Sequence, residues 1–312
     1  MLNDAILIAG PTASGKSALA VDIARKTGGV VINADSMQVY DVLSVLSARP
    51  GPDDLNRVPH ALYGHVPPSV AYSTGAWLAD VAQLCTSGFL QERRPIFVGG
   101  TGLYFRALLE GIAKTPAVPP KLRRRWRERL VAEGPEALHR ILQERDPEAA
   151  ASIGQTDGQR ITRALEVHEA SGRPLSEWQK ENTPPLVSSA TSVKVVLEPD
   201  RSFVVERIER RFDRMIAQGG LEEVRALLSL KLAPELPAMK AIGVRELASY
   251  LQGEIPLAQA VEQAKTATRR YSKRQTTWFR HQLDDGWKRL AVTPSDATQV
   301  RLVDLVVDAT KN

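Results

Sequence analysis

The sequence predicts an α/β fold: a parallel sheet flanked by helices, with a helical domain inserted into the chain. Two observations predict it. In the first hundred residues, short β-branched runs alternate with helical patterns, as they do when helices join parallel strands. Between residues 115 and 190 the strand pattern disappears, and apolar residues recur at spacings of three and four, which is typical of helices.

The predicted elements of the first half alternate regularly. The strands are Ala5–Ala9, Val30–Asn33 and Pro95–Val98, and the helices are Lys16–Thr27, Thr74–Leu84 and Leu103–Leu109. After the helical block the strand pattern returns at Val193–Leu197. Further helices are predicted at Arg201–Gln218 and over residues 221–231, 243–252 and 256–281, followed by a final strand near Leu302–Val307.

Two proline-containing segments that disfavour helix delimit the predicted insertion. Lys114–Pro120 contains three prolines, and Asn182–Pro185 contains two more before a tract of small residues. We therefore predict one domain from residues 1–114 and 191–312, the α/β core with C-terminal helices, and a second from residues 115–190. Extra helices packed rigidly on the sheet are the alternative.

The amino-acid composition is that of a globular protein and disfavours membrane-spanning, secreted and disulfide-rich classes. Of the 312 residues, 43% are hydrophobic and 25% are charged, as in ordinary globular proteins. No apolar run approaches the roughly 20 residues that cross a bilayer, and Asp4 stands where a signal peptide carries positive charge. Cys85 is the single cysteine, which excludes an internal disulfide and a cysteine zinc site. We expect a cytoplasmic monomer with no membrane partner.

The positive charge is clustered. The net charge is only +5, but residues 121–129 hold six basic side chains against one acid. Residues 268–281 hold five arginines and lysines and no acid. Such runs suit a polyanion such as nucleic acid, although a solvated helix surface is the alternative.

The first strand leads into a phosphate-binding motif. Residues 10–17 fit the pattern G-x-x-x-x-G-K-[ST], and they consist of Gly10, Pro11, Thr12, Ala13, Ser14, Gly15, Lys16 and Ser17. In such a loop the backbone N–H groups and the following helix favour an anion, and the lysine adds a point charge. The Ser17 hydroxyl is placed to ligate Mg²⁺. The sequence therefore predicts a P-loop-type core, and a glycine turn with a chance lysine is the alternative.

Two polar residues follow the other strands of this core. Asp35 comes after the second strand, where open α/β sheets keep their chemistry, and it either holds magnesium through water or takes a proton. Thr101 follows the third strand. Each has a structural alternative as a helix cap. The third strand ends in Gly99–Gly102 without an acid, which disfavours a nucleotide triphosphatase.

Five segments together resemble one family. They are Gly10–Ser17, Ala34–Tyr40, Gly99–Tyr104, Gln159–Val167 and Lys273–Arg280. In this order and at these separations they resemble the bacterial tRNA dimethylallyltransferase (isopentenyltransferase) family over nearly the whole chain. The resemblance implies transfer of a dimethylallyl group from dimethylallyl diphosphate to the exocyclic N6 amine of the adenosine 3′ to the anticodon, releasing diphosphate.

The resemblance also implies roles for individual residues. Asp35 matches the general base, and Thr101 matches the residue that orients the amine. The phosphate loop would hold the diphosphate together with Mg²⁺ at Ser17 and with Arg211, whose alternative is a solvated helix face.

Contacts with the tRNA anticodon stem-loop are implied as well. The matching residues are Asp35, Ser36, Met37, Gln38, Thr101, Arg123, Gln159, Arg160, Ile161, Thr162 and Arg163. A stacked base must be flipped out to enter a pocket. Arg160 and Arg163, three apart, are expected to share a helical face. The sequence departs from the family pattern at Ser44–Pro50 and at Val244, which affects fine contacts with the RNA.

Three other functions remain open at this point. A prenyltransferase acting on free adenine nucleotides would have a shorter chain without the basic insertion. A small-molecule kinase would use the same loop for ATP, and the missing acid after the third strand disfavours it. A non-catalytic RNA-binding protein would have no need of Lys16, Asp35 and Thr101 together.

Overall fold

The computed structural model describes residues 1–293 and 296–310. The chain divides into two compact units, one formed by Met1–Leu109 with Leu186–Asn312 and the other by Glu110–Pro185. The observed boundaries are 109/110 and 185/186. The predicted boundaries, 114/115 and 190/191, each lie five residues toward the C-terminus from them.

The first unit contains a six-stranded parallel sheet. Its strands are β1 Ile6–Ala9, β2 Val30–Asn33, β3 His60–Ala61, β4 Pro95–Gly99, β5 Val193–Pro199 and β6 Lys288–Val292, in the order β3-β2-β4-β1-β5-β6. β1 lies between β4 and β5, where Ile8 pairs with Val98 and with Val195. The predicted strands at β1, β2, β4 and β5 are confirmed. Because all strands are parallel, the carboxyl ends of β1, β2 and β4 meet at one edge.

The helices follow the predicted pattern closely. They are α1 Lys16–Thr27, α2 Pro52–Arg57, α3 Thr74–Thr86, α4 Gly102–Glu110, α5 Pro120–Glu133, α6 Pro135–Arg145, α7 Pro147–Ser152, α8 Gly158–Ser171, α9 Leu175–Trp178, α10 Arg201–Ala217, α11 Gly220–Ser229, α12 Val244–Leu251, α13 Leu257–Gln282 and α14 Asp296–Ala309. A 3₁₀ turn covers Ala238–Lys240. The short elements α2 and β3 were not predicted, because both bury little apolar surface and so show no clear apolar pattern.

Two large apolar clusters form most of the core in the described part of the first unit. One packs β1, β4 and β5 against α1 and α14 through side chains such as Ile8, Ile23 and Val306, all fully buried. The other joins the segment after β2 to α10, α11, α12 and α13 through Leu43, Phe212 and similar residues. This burial removes apolar surface from water, which stabilises the fold and fixes the helices around the strand ends.

The predicted strand near Leu302–Val307 is wrong, because these residues lie in α14. Val303 and Val306 are buried three positions apart, a helical spacing that places both on the face packed against the core cluster of the sheet. The last strand is instead β6, which pairs with β5 at the sheet edge. Only Leu290 of β6 is buried, so its sequence lacked the apolar run of a central strand.

The second unit contains the end of α4 and α5 to α9, and the segments at its two ends meet in an isolated antiparallel bridge between Ala113 and Asn182. Its core gathers Trp126, Leu138, Leu142, Ile161 and Leu165. Asp157 caps α8 by accepting a hydrogen bond from the Arg160 N–H at 3.1 Å, which explains why α8 begins there. Among the described residues no helix is both long and apolar enough to cross a membrane.

Candidate active site

The phosphate loop lies between β1 and α1, as predicted. Gly15 caps α1 with φ +95°, a conformation that favours glycine. At Gly10 a Cβ would lie only 2.9 Å from the Ser14 Oγ, so the loop folds too tightly there for a side chain. The fold thus points a helix N-terminus at the sheet edge, where an anion is favoured.

Lys16 is held inside the loop. Its Nζ donates a hydrogen bond to the Pro11 carbonyl oxygen at 3.2 Å. Burial lowers the pKa of Lys16 to about 8, while the negative charge of Asp35 opposes this and the cations Arg211 and Arg207 add to it. A polyanionic partner beside this ammonium would stabilise its charged form, which burial and the neighbouring cations disfavour.

Two serines of the loop differ in their surroundings. The Ser14 side chain is 1% exposed, and its hydroxyl has no hydrogen-bond partner. A buried unpaired hydroxyl is uncommon and marks a place where a ligand or water supplies the partner. Ser17 is exposed at the first turn of α1, where its hydroxyl is accessible to a cation.

Asp35 follows β2 and is held by its neighbours. Asn33 accepts a hydrogen bond from the Asp35 N–H at 2.8 Å and donates one to its carbonyl oxygen at 2.9 Å. The Asp35 Oδ1 accepts from the Met37 N–H at 2.9 Å. The helix-cap alternative fails, because the next helix along the chain, α2, begins only at Pro52.

Thr101 connects the turn after β4 to the segment after β2. Its Oγ1 accepts a hydrogen bond from the Ser36 N–H at 2.9 Å, and its own N–H donates to the Ala34 carbonyl at 3.2 Å. A Cβ on Gly99 would lie 1.9 Å from that same carbonyl oxygen, so only glycine allows this approach. The hydroxyl therefore helps to fix the loop that carries Asp35.

One cavity of about 270 Å³ is lined both by Asp35 and by the phosphate-loop residues Thr12 and Ala13, whereas Lys16 and Thr101 are not among its lining residues. It is lined by Thr12, Ala13, Asp35, Ser36, Met37, Leu46, Ser47, Ile208, Arg211, Phe212, Met215, Lys240, Ala241, Ile242, Thr268, Tyr271 and Arg274. Its volume is close to the lower end of the ~300–1,000 Å³ typical of ligand pockets. The cavity thus brings the predicted base beside the phosphate loop, with a largely apolar wall from α10.

Arg211 projects into this cavity from α10. Burial lowers the pKa of Arg211 to about 10, and the negative charge of Asp35 opposes that shift. Even so, a guanidinium with this pKa is protonated at neutral pH. The alternative of a solvated helix face is therefore wrong for this side chain.

Gln38 is turned toward its own chain. Its Nε2 donates to the carbonyl oxygens of Ser47 and Ala48, both at 2.9 Å, and it does not line the cavity. Glu223 in turn accepts hydrogen bonds from the N–H groups of residues 44, 45 and 46 at 2.6–2.8 Å. The segment that departs from the family pattern is therefore well anchored and contributes Leu46 and Ser47 to the cavity wall.

In the second unit, Gln159 and Arg160 are exposed on α8, while the next three residues turn inward. The Ile161 side chain is fully buried, and the Thr162 hydroxyl donates to the Gly158 carbonyl oxygen at 2.8 Å. Arg163 is half-buried and donates to the Thr115 hydroxyl at 2.8 Å.

Arg123 lies in the same unit, with its Nε 4.0 Å from a carboxylate oxygen of the buried Glu166. Burial raises the pKa of Glu166 and lowers that of Arg163. Arg163 faces this internal cluster, whereas Arg160, three positions earlier, is exposed to solvent.

Three residues near the loop were missed as site residues. Arg207 lies one turn before Arg211, and its Nη1 would be 4.0 Å from a Cβ on Gly15. Tyr271 lines the cavity, and burial raises its pKa with help from the Asp35 charge. Gln275 bonds to the phosphate loop. The four-residue spacing of Arg207 and Arg211 indicates that both lie on one face of α10, so Arg207 could have been predicted from the sequence. Tyr271 and Gln275 lie inside a basic run, and the charges of that run predict nothing about these two uncharged side chains.

No group of three or more histidine, cysteine, aspartate or glutamate side chains suited to a metal occurs among the described residues.

Comparisons with known proteins agree on one family. The model described as IPP transferase matches residues 38–282, and the model described as Isopentenyl transferase matches residues 3–62. The tRNA dimethylallyltransferase of Mesorhizobium japonicum is 57% identical over 309 residues, covering 99% of this chain and 95% of that protein. The protein of the same name from a Chelativorans species is 59% identical over 292 residues, covering 94% of this chain and all of the relative.

A solved structure is also similar. It is a eukaryotic dimethylallyltransferase described as acting on tRNA, with a TM-score of 0.81 and 27% identity. The match covers 98% of this chain and 80% of the other.

Proposed function

Since the chain belongs to the IPP transferase family, we propose that it transfers a dimethylallyl group from dimethylallyl diphosphate to tRNA. The acceptor is the exocyclic N6 amine of the adenosine 3′ to the anticodon, and diphosphate is released. One observation carries the proposal: Asp35, the phosphate-loop residues Thr12 and Ala13, and Arg211 all line a single cavity.

The diphosphate would occupy the phosphate loop. Lys16, Arg211 and the N–H groups at the start of α1 supply positive charge where the leaving group gains negative charge. Mg²⁺ suits this position chemically, since the exposed Ser17 hydroxyl and the diphosphate oxygens are the hard ligands that it prefers. When bound, the ion would neutralise charge on the departing diphosphate.

The adenine would enter from the side of Asp35. The N6 nitrogen attacks the allylic carbon, the bond from that carbon to the diphosphate oxygen breaks, and a proton leaves the nitrogen. Asp35 lines the cavity and is proposed to accept this proton. The Thr101 oxygen uses one lone pair for the Ser36 N–H, so its second lone pair remains for an N–H of the amine.

The proposed tRNA substrate must present its adenine to the cavity. An adenine in a stem-loop must be flipped out to reach Asp35. Exposed cations suited to its phosphates lie on α13, at Arg270 and Lys273, and in the second unit at Arg160. We propose that this unit binds the tRNA anticodon stem-loop, with Ile161 and Thr162 shaping α8 instead of touching RNA through their side chains.

Cys85 is an exposed free thiol, as expected of a protein that works in the reducing cytoplasm.

The test is direct. Purified protein with Mg²⁺, dimethylallyl diphosphate and an anticodon stem-loop should yield N6-prenylated adenosine, read by mass spectrometry of the digested RNA. AMP is added as a competing acceptor. Prenylation of AMP in preference to the stem-loop would replace tRNA with a free nucleotide, and no product with either acceptor would refute the proposed reaction.

A further inference from the structure

Gln275 connects two loops of the active site. It lies on α13 and is only 6% exposed. Its Oε1 accepts a hydrogen bond from the Thr12 N–H at 2.8 Å, and its Nε2 donates to the Gly100 carbonyl oxygen at 2.9 Å. One amide group thus spans the phosphate loop after β1 and the turn after β4.

The fit around this amide is close. A Cβ on Gly100 would lie 2.1 Å from the Gln275 Nε2, and a Cβ on Gly102 would lie 2.1 Å from the Trp278 ring. Gln275 and Trp278 are three positions apart, so the same face of α13 packs on the turn at two points. The glycines of this turn therefore admit α13, and a side chain at either position would displace the helix.

The hydrogen bond to Thr12 also limits which N–H groups of the phosphate loop can bind an anion. Because the Thr12 N–H is committed to Gln275, the amides that remain for an anion are those closer to α1. The bond to Gly100 holds the residue immediately before Thr101, whose hydroxyl bonds to the loop that carries Asp35.

We propose that Gln275 is a positioning residue that sets the distance between the diphosphate and the groups acting on the adenine. The proposal rests on the proposed function for the identity of the two substrates. Gln275 touches neither of them and acts through Thr12 and Gly100. The exposed face of the same helix carries Arg270 and Lys273, so RNA binding should not depend on this amide.

The test replaces Gln275 with methionine, which keeps the length of the side chain and removes the hydrogen bonds to Thr12 and Gly100, together with the side-chain hydrogen bond to Tyr271. The buried Thr12 N–H and Gly100 oxygen then lose their partners. We expect inorganic pyrophosphate with Mg²⁺ to bind about tenfold more weakly, and kcat with the stem-loop to fall about tenfold. RNA affinity should stay within about twofold, because the charges facing RNA are unchanged.

Gln263→Met is the matched control, since Gln263 is an exposed glutamine on the same helix. It should leave pyrophosphate affinity, RNA affinity and kcat at the wild-type values. Thermal unfolding is measured for all variants, and a Tm within about 5 °C of wild type shows that the fold is retained.

A second variant keeps the proposal testable if Gln275→Met does not fold. Gln275→Glu keeps an oxygen for the Thr12 N–H and adds a negative charge beside the loop, so pyrophosphate should bind at least tenfold more weakly.

Unchanged pyrophosphate affinity in these variants overturns the proposal. So does a parallel loss of pyrophosphate affinity, RNA affinity and Tm, which would indicate a merely structural bond. Pyrophosphate binding is measured without RNA or turnover, so a wild-type protein that binds pyrophosphate but does not prenylate RNA would refute the proposed function and leave this test intact.

Discussion

The sharpest prediction concerns Asp35→Asn. The substitution keeps an oxygen to accept from the Met37 N–H, so the loop after β2 should hold its conformation. It removes the proposed proton acceptor, and general-base catalysis contributes roughly 10²–10⁴-fold in rate. We therefore expect kcat to fall by about 10²–10⁴-fold, which corresponds to about 2.7–5.4 kcal/mol of barrier height.

The same substitution should affect pyrophosphate binding differently from turnover. The Asp35 carboxylate lies within electrostatic reach of Lys16 and Arg211, and it raises the pKa of both. Removing the negative charge also lowers the pKa of Lys16, so the comparison is made at a pH well below 8, where this ammonium stays protonated. There the phosphate loop is more positive, and pyrophosphate should bind as tightly as before or more tightly. A loss of turnover without a loss of pyrophosphate affinity is the signature of a base, whereas general damage to the site would lower both.

The assay is single-turnover prenylation of an anticodon stem-loop, combined with calorimetric titration of Mg²⁺-pyrophosphate. Asp41→Asn makes the same chemical change at an exposed carboxylate six residues away and should leave both readouts unchanged. A fall in kcat of less than about tenfold for Asp35→Asn would refute the assignment of Asp35 as the base.

Three further predictions follow from neighbouring charges. Lys16 has a pKa of about 8 without ligand, and only its protonated form attracts an anion, so pyrophosphate affinity measured by calorimetry should fall as pH rises through 8. In Lys16→Arg that dependence should disappear, and its persistence would contradict the role of this amine. Arg160→Ala should weaken stem-loop binding and reduce its salt slope by about one, while the exposed Arg140→Ala should do neither; a filter-binding titration over salt concentrations decides. Arg207→Ala should raise the Kd for pyrophosphate about threefold to tenfold because its guanidinium lies beside the loop, whereas Arg210→Ala, which removes a cation paired with Glu206, should have little effect. Equal effects of the last two would refute a specific role for Arg207.

Local patterns sufficed for most elements of the fold. The helix at Lys16–Thr27 and the strand at Val30–Asn33 have the bounds that the sequence predicted, because glycine and β-branched residues delimit them within a few positions. The failure at α14 has an equally local cause. A short apolar run suits a strand or a buried helix, and only packing against α1 selects between them.

The predicted roles on α8 show where pattern reasoning stops. Arg160 and Arg163 are three apart on a helix, so they lie near one another, but the buried Glu166 and Thr115 turn Arg163 inward. Which face of a helix meets solvent depends on the elements packed around it, and for Arg163 the sequence spacing left that unspecified.

The sequence by itself determined the phosphate loop, the acid after β2 and the threonine after β4, because each requires particular residues at a fixed spacing beside a strand. Tertiary structure alone decided that Asp35, Arg211 and Tyr271 share one cavity, and that Gln275 joins two of its loops. These residues come from segments far apart in the chain. Their distances are set by parallel strand pairing and by the packing of α10 and α13, and those long-range contacts depend on many side chains at once.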